Sequence, residues 1–250
     1  SGRLSPYRGL QRYHHYAGLL FGIFTLTWVA SGLLSMNPWG ALEGEGTRLE
    51  ERRLAGNALS WSEAESILQN LSESSLPADS VMLEIFPQQN SVNLVAHTIE
   101  GDKFRLNTET MMGDALTPDE LRSLAETMHP LEDIRTIDLI TEEDAYYYIH
   151  HEPREFPVYK VVFDDDQSRH YYLSAVDGRI QLKVDGNLRL YRWLFHALHR
   201  GDFSALTRSR PLWDLFMLVL LAGVTVICAT GTYMGWRRLK INRRIKLNRT

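Results

Sequence analysis

The chain has 250 residues and a formal net charge of −4, but that charge is distributed very unevenly. Residues 1–42 and 215–250 together carry ten basic residues and no acidic one, whereas residues 43–214 hold all 31 acidic residues and only 17 basic ones. The single cysteine, Cys228, excludes an intramolecular disulfide, so the long acidic part must be stabilised by packing alone.

The first element in chain order is an apolar segment near the N-terminus. Residues 13–39 contain no charged side chain, and Tyr16 to Met36 is apolar enough to cross a bilayer as a helix. A signal peptide is the alternative, but the segment exceeds the roughly 7–15-residue apolar core of such peptides, and no small-x-small cleavage site ends it. The sequence therefore predicts a transmembrane helix over 13–39.

The middle of the chain is predicted to contain two successive α+β repeats. Each begins with a capping-box pattern that opens a helix, Ser60–Glu63 in the first repeat and Thr117–Glu120 in the second. The interval 40–59, rich in glycine and charge without a clear period, is predicted to be a linker. Strand-like runs separated by turn signals follow the helices, at 81–86, 92–97 and 104–107 and then at 136–140, 145–151, 158–163, 170–173 and 179–184.

An amphipathic segment and a second apolar segment close the chain. Over 187–202 leucines and aromatic residues alternate with arginines, which predicts a helix lying along the outer membrane interface. Residues 215–236 are uncharged, and a buried helix of a soluble protein would rarely be apolar on every face over that length. The sequence therefore predicts a second transmembrane helix over 211–236.

The charge distribution predicts how this hairpin is oriented. Basic ends next to both apolar segments and an acidic middle follow the positive-inside rule, with both termini cytoplasmic and residues 40–210 periplasmic. The basic tail could instead bind nucleic acid, but basic residues that flank two spans are more simply orientation signals and contacts to anionic lipid. No nucleic-acid partner is expected.

Three local patterns frame residues 12–238. One is His14-x-x-x-Gly18-Leu19 at the start of the first apolar segment, and another is Tyr171-Tyr172-Leu173 through Asp177-Gly178-Arg179, which continues into Arg192-Trp193-Leu194-Phe195-His196-Ala197-Leu198-His199-Arg200-Gly201. The third is Trp213 with Thr230-Gly231-Thr232-Tyr233 and Trp236-Arg237-Arg238. With these patterns the chain resembles the PepSY-associated transmembrane family of bacterial inner-membrane proteins.

The resemblance implies PepSY domains, each a helix packed on a small antiparallel sheet. Larger relatives with four spans resemble iron-regulated proteins, some of which are haem-containing reductases that release iron from siderophores. This chain departs from that pattern because it has only two spans, which offer fewer places to hold haem.

The expected fold is a membrane α-helical hairpin of two transmembrane helices with an α+β extracytoplasmic domain of tandem PepSY-like helix-plus-antiparallel-sheet repeats. Its parts are expected to be a basic tip at 1–12, transmembrane helix 1 at 13–39, a linker at 40–59, PepSY-like repeats at 60–113 and 114–186, an amphipathic interfacial helix at 187–202, transmembrane helix 2 at 211–236 and a basic tail at 237–250.

Four histidines near the ends of the apolar segments are the candidate cofactor ligands: His14, His15, His196 and His199. Haem b would need an imidazole on each face of the iron. The two pairs lie at opposite ends of a span of about 30 Å, and neighbours such as His14 and His15 point about 100° apart on a helix. A homodimer, or other membrane subunits, would have to supply the second ligand. The alternative is that these histidines have structural or interfacial roles.

Other combinations are weaker candidates for metal binding. His196 and His199 are three residues apart on one helix, but no acid pair or thiol completes a site. His150-His151-Glu152 would alternate across a strand, and Asp164-Asp165-Asp166 is more simply a solvated turn than a cation site. The sequence shows no nucleophile elbow, HExxH pair or phosphate-binding glycine loop, so a hydrolase is not expected.

Two classes of function remain. In the first, the periplasmic domain binds or regulates a partner within a membrane assembly that includes the lipid bilayer and a homo-oligomer or other membrane subunits. In the second, the span-end histidines hold haem b and the chain transfers electrons across the membrane, as a component of a ferric-siderophore reductase. The first class is favoured because a single chain lacks paired axial ligands.

Overall fold

The structure is a computed structural model that describes residues 6–40, 42–71, 76–77, 79–149, 153–203 and 209–247. The chain divides into two compact units, one formed by residues 1–43 and 190–250 and the other by residues 44–189. His150, His151 and Glu152, considered above as possible ligands, lie outside the described residues.

The first unit is helical and contains both apolar segments. Helix α1 spans Leu10–Ser35 and helix α7 spans Arg210–Leu247, and Leu10–Ser35 and Pro211–Lys240 are each long and apolar enough to cross a membrane. A short 3-10 turn at Pro38–Gly40 follows α1. The predicted helix over 187–202 is confirmed as helical, but it is built from three pieces: α5 (Gly186–Tyr191), a π-helical segment (Arg192–Ala197) and α6 (Leu198–Arg200). The division between the two units falls within α5, between residues 189 and 190.

The two long helices pack closely at one glycine. A Cβ placed on Gly223 of α7 would clash with the ring of Phe21 on α1, so only glycine permits this contact. Gly18 and Gly22, four residues apart on α1, have no heavy atom of another part of the described chain within 4 Å of the position that a Cβ would take. The contact between α1 and α7 therefore does not depend on a close approach at Gly18 or Gly22.

The second unit contains the two predicted helix-plus-sheet repeats. In the first, α3 (Trp61–Asn70) precedes an antiparallel sheet with the strand order β1 (Ser80–Gln88), β2 (Ser91–Thr98) and β3 (Lys103–Leu106). In the second, α4 (Pro118–Met128) precedes an antiparallel sheet of β4 (Ile134–Ile140), β5 (Val158–Phe163), β6 (His170–Ser174) and β7 (Ile180–Val184) in chain order. Both helices begin with the predicted capping boxes.

Ion pairs join the two repeats. The guanidinium of Arg179 lies 2.7 Å from the carboxylate of Glu84 and 3.7 Å from the ring centre of Phe86. Arg105 on β3 donates to Glu120 on α4 at 2.7 Å, and this bond together with those from Thr117 outweighs burial and lowers the pKa of Glu120 to about 2. The two sheets therefore belong to one folded unit.

Two sequence predictions in this unit are wrong. Residues 145–149, predicted as part of a strand, form bends, because the Asp144 carboxylate accepts hydrogen bonds from the backbone N–H groups of Tyr146 and Tyr147. The interval 40–59, predicted as a linker, contains helix α2 (Arg48–Ala55), and Leu54 of this helix joins the core between α4 and the second sheet. Most residues of α2 are charged, so the sequence does not show that one face of this helix is buried.

Candidate functional site

His14 is fixed by the facing helix at the N-terminal end of α1. Its Nδ1 lies 2.7 Å from the hydroxyl oxygen of Thr230 on α7, and its Cε1 would be 3.3 Å from a Cβ on the adjacent Gly231. The hydroxyl therefore orients the ring, and the glycine lets it approach the α7 backbone. Nε2 is the ring nitrogen that this hydrogen bond leaves available.

His15 lies beside His14 but points to a different neighbour. Its ring packs edge-on against Tyr7 with the ring centres 5.1 Å apart. Both histidines line an open groove of about 990 Å³ that also includes Arg8, Arg237 and Arg238. At this end of the helical unit, two imidazoles therefore share one basic groove without facing each other as a ligand pair.

His199 has the same kind of partner at the other end of α1. Its Nδ1 lies 3.0 Å from the hydroxyl oxygen of Ser31, and its Cε1 would be 3.5 Å from a Cβ on Gly32. The His199 ring also stacks on Phe195, with the ring centres 5.1 Å apart. The same arrangement therefore occurs twice. At one end a histidine of α1 faces a hydroxyl and a glycine of α7, and at the other a histidine of α6 faces a hydroxyl and a glycine of α1.

His196 lies in the π-helical segment that precedes α6. Its ring packs edge-on against Tyr191 at 5.4 Å, and its carbonyl accepts the backbone N–H of Asp202 at 3.0 Å. Gly201 ends the helix in a left-handed conformation, and its carbonyl accepts the indole N–H of Trp213 at 3.1 Å. Because π-helical turns are rare and occur often at functional sites, this segment marks the region as a candidate site.

An apolar pocket of about 260 Å³ lies close to His199. Its walls come from α1, α6, α7 and the residues next to Gly201. They are Ile23, Phe24, Thr27, Trp28, Ala197, Leu198, Gly201, Phe203, Phe216, Met217 and Leu220. The pocket is lined by Leu198, the neighbour of His199 in sequence, whereas His14 itself lines the basic groove at the other end of α1.

The arrangement of the four histidines allows a haem to be tested against the chain. His14 and the His199 partner Ser31 are 17 residues apart on α1, which corresponds to about 25 Å along the helix. One haem therefore cannot join His14 to His199. Each end offers an imidazole whose Nδ1 is held by a hydroxyl, which is the orientation that metal-bound histidines require from their surroundings. His14 or His199 would therefore hold a haem only where a second chain supplies another imidazole.

The described residues contain no group of three or more His, Cys, Asp or Glu side chains arranged to hold a metal ion. In the turn between β5 and β6, Arg135 bonds to Asp164, and Arg169 bonds to Asp165. Arginines therefore bind two of the three carboxylates, and the Asp165 side chain is only 8% exposed, so the turn is less solvated at Asp165 than the sequence suggests.

A buried polar network joins α2 to the second sheet of the α+β unit. Glu50 of α2, only 2% exposed, accepts hydrogen bonds from Tyr171 at 2.7 Å and Lys183 at 2.8 Å, and the Tyr171 hydroxyl lies 2.7 Å from His129 Nε2. Burial would raise the pKa of Glu50, but the bonds from Lys183 and Tyr171 hold it below its usual value. Burial, reinforced by Arg169, lowers the pKa of His129.

A second cluster covers the other face of the same sheet. Asp144 accepts a hydrogen bond from the Tyr172 hydroxyl at 2.5 Å and one from Lys160 at 2.7 Å, while Tyr147 stacks on Tyr172. Nearby, burial and the charges of Lys160 and Arg189 lower the pKa of His170 to about 4. These groups bond mainly to one another, so they stabilise the sheet rather than form an open site.

Sequence reasoning identified the histidines but missed their partners. The sequence shows Ser31-Gly32 and Thr230-Gly231 as small residues. It does not show which histidine each of them contacts, because these residues are far apart in the chain. Comparison of the chain with protein-family models, curated proteins and solved structures finds no match.

Proposed function

We propose that this chain is a two-span protein of the bacterial inner membrane, with both ends cytoplasmic and a periplasmic α+β unit that binds or regulates a partner. The α+β unit is PepSY-like in this proposal, because each of its repeats is a helix followed by an antiparallel meander. The basic ends and acidic middle of the sequence support this orientation.

The exposure of the apolar helices carries the membrane proposal. Large aliphatic side chains are exposed along one face of α1, where Leu19, Ile23, Leu26 and Val29 are each between 67% and 69% exposed. Burying one such side chain fully stabilises a protein by about 1.5–3 kcal/mol. A soluble protein would gain this by covering them, whereas in a bilayer the lipid chains cover them.

The contacts of α1 with the rest of the helical unit argue against a removable signal peptide. Thr230 and Gly223 of α7 contact α1 through His14 and Phe21, and Ser31 near the end of α1 contacts His199. A segment cleaved during export would leave each of these partners without its contact.

Two observations support the proposed binding role of the α+β unit. The buried carboxylates Glu50 and Asp144 are engaged by lysines and tyrosines within the unit. Its surface belongs to the acidic part of the sequence, which would steer a basic protein partner toward it.

Cysteine labelling tests the orientation. In a Cys228→Ser background, Ser62→Cys on α3 should react with a membrane-impermeant maleimide from outside intact spheroplasts, and Lys246→Cys should react only after lysis. Cys228 itself, in the otherwise unchanged chain, should stay unlabelled both in intact spheroplasts and after lysis. Labelling of position 246 before lysis would overturn the proposed topology, and labelling of Cys228 would overturn insertion. Cross-linking from position 62 then identifies the partner.

The matched histidine–hydroxyl pairs favour a second candidate, haem-dependent electron transfer. Haem b would supply one-electron chemistry when bound. In this chain, Thr230 and Ser31 would hold Nδ1 of His14 and His199 and present Nε2 of each ring. Because each end provides one oriented imidazole, two copies of the chain would share each haem.

Visible absorption spectra of the detergent-purified chain, oxidised and dithionite-reduced, test this candidate. A low-spin b-type spectrum should weaken in His14→Ala and in His199→Ala and persist in His97→Ala, a change in the first sheet. Thr230→Ala and Ser31→Ala should shift the reduction potential without abolishing binding. A haem-supplemented, folded preparation without an absorption band would exclude the haem role and leave the binding role intact.

A further inference from the structure

The groove at the N-terminal end of α1 is strongly basic. It has a volume of about 990 Å³ and is formed by the residues before and within the first turns of α1 and by the part of α7 around Gly235. The side chains that give it its chemistry are Tyr7, Arg8, His14, His15, Arg237 and Arg238. None of the described residues that line it is acidic.

The three arginines of the groove have no carboxylate partner in the described part of the chain. Residues 1–42 and 215–250 contain no Asp or Glu, so no neighbour in sequence can neutralise Arg8, Arg237 or Arg238. Other basic residues nearby are used differently, since Arg12 lies over the ring of Tyr13 and Lys240 lies over the ring of Trp236. The groove therefore holds a concentration of positive charge that a bound anion would offset.

The start of α1 adds backbone donors to the same groove. Gly9, Leu10 and Gln11 line it, and the helix begins at Leu10 with no side-chain cap and no acid in its first turn. The first N–H groups of a helix lack partners within it and carry the positive end of the helix dipole. Here these donors lie beside the arginines, so the two contributions favour the same kind of ligand.

We propose that this groove binds a phosphate group, as a phosphomonoester or phosphodiester anion. Guanidinium groups bind phosphate oxygens through paired hydrogen bonds, and uncapped helix starts bind phosphate through backbone N–H groups. The phosphate comes either from a soluble ligand or from a lipid headgroup, and the lipid source rests on the proposed insertion of α1 and α7 into a bilayer.

Binding to the full-length chain in neutral detergent tests the proposal. The probes are inorganic phosphate, dihexanoylphosphatidylglycerol and dihexanoylglycerol, which is the same kind of lipid without phosphate. Titration calorimetry gives the dissociation constants for the unchanged chain, for Arg8→Gln/Arg237→Gln/Arg238→Gln, and for the control Arg12→Gln/Lys240→Gln. The control removes neighbouring charges that lie outside the groove.

The phosphate-bearing probe should bind the unchanged chain and the control with equal affinity. It should bind the groove variant about tenfold or more weakly, because that variant lacks the guanidinium groups that would bind the phosphate oxygens. Binding of inorganic phosphate would identify a soluble ligand, and binding of the phospholipid alone would identify a headgroup. Three results would overturn the proposal. The groove variant could bind phosphate as tightly as the control does, or dihexanoylglycerol could bind as tightly as dihexanoylphosphatidylglycerol. The chain could also bind haem but neither phosphate-bearing probe.

The experiment separates this proposal from the proposed function. Binding in detergent requires the groove but not a particular orientation in a membrane. Phosphate binding together with failed topology labelling would reject the membrane proposal alone. Correct topology without phosphate binding would reject the groove alone.

Discussion

His199 Nδ1 lies 3.0 Å from the hydroxyl oxygen of Ser31, and this contact joins the helical segment before α7 to the C-terminal end of α1. His14 and Thr230 make the corresponding contact at 2.7 Å near the opposite end of α1. In both cases a glycine follows the hydroxyl residue and leaves room for the imidazole. The hairpin is therefore closed by a polar contact at each end and by Phe21 against Gly223 between them.

Ser31→Ala should destabilise the helical unit by about 0.5–1.5 kcal/mol, because His199 loses a hydrogen bond in a largely buried position. Ser35→Ala is the matched control, since the Ser35 hydroxyl bonds only within α1, to the carbonyl of Gly32. Thermal unfolding of the purified chain in detergent measures both. Equal midpoints for the two variants would show that the contact with His199 contributes nothing.

Gly223→Ala should destabilise the packing of α1 on α7 by about 1–3 kcal/mol, the usual effect of an added methyl group in a tightly packed place. The new Cβ would clash with the root of the Phe21 ring, which cannot move without shifting α1. Gly235→Ala on the same helix meets no heavy atom within 4 Å and should be neutral or slightly stabilising. Thermal unfolding in detergent compares the two variants.

Phe21→Ala added to Gly223→Ala tests the cause of that effect. If the clash is with Phe21, the double variant should lose less stability than the two single variants predict together. Strict additivity of the two changes would contradict the packing described here.

The elements that sequence predicts correctly are those with strong local signals. Capping boxes at Ser60 and Thr117 fix two helix starts, and alternating apolar residues with turn signals between them fix seven strands. The run containing Tyr146 and Tyr147 carried the same apolar, aromatic signal, but the local hydrogen bonds of Asp144 override it. Strand propensity describes a side chain that fits a sheet surface, and Tyr147 packs on that surface from a loop instead.

The partners of the candidate site depend on contacts that are distant in sequence. Ser31 and His199 are 168 residues apart, and His14 and Thr230 are 216 apart. Helix periodicity shows which residues share a face of one helix but not which residue of another helix they meet. The burial of Glu50 could not be predicted for a related reason. Its partner Lys183 lies on β7, and the two residues meet only in the folded unit.

Lys183→Met should destabilise the α+β unit by about 3–5 kcal/mol, because it leaves the buried Glu50 carboxylate without its cation. Glu50→Gln/Lys183→Met should recover much of that loss, because the charge is then removed from both partners. Arg135→Met is the control, since the Arg135–Asp164 pair is more than half exposed and should contribute less than about 1 kcal/mol. Urea unfolding measures all three, and a small effect of Lys183→Met would mean that water satisfies Glu50.

His170 should make the α+β unit less stable as the pH falls from about 6.5 to about 4. Burial and the charges of Lys160 and Arg189 lower its pKa from 6.5 to about 4, so between these values the unfolded chain binds a proton that the folded chain does not. Stability therefore rises with pH across this window, by about 3 kcal/mol at most. His170→Gln should flatten the dependence of the unfolding free energy on pH. Some slope should remain in His170→Gln, because burial also lowers the pKa of His129. Parallel curves for the unchanged chain and His170→Gln would show that His170 takes up its proton equally in the folded and unfolded states.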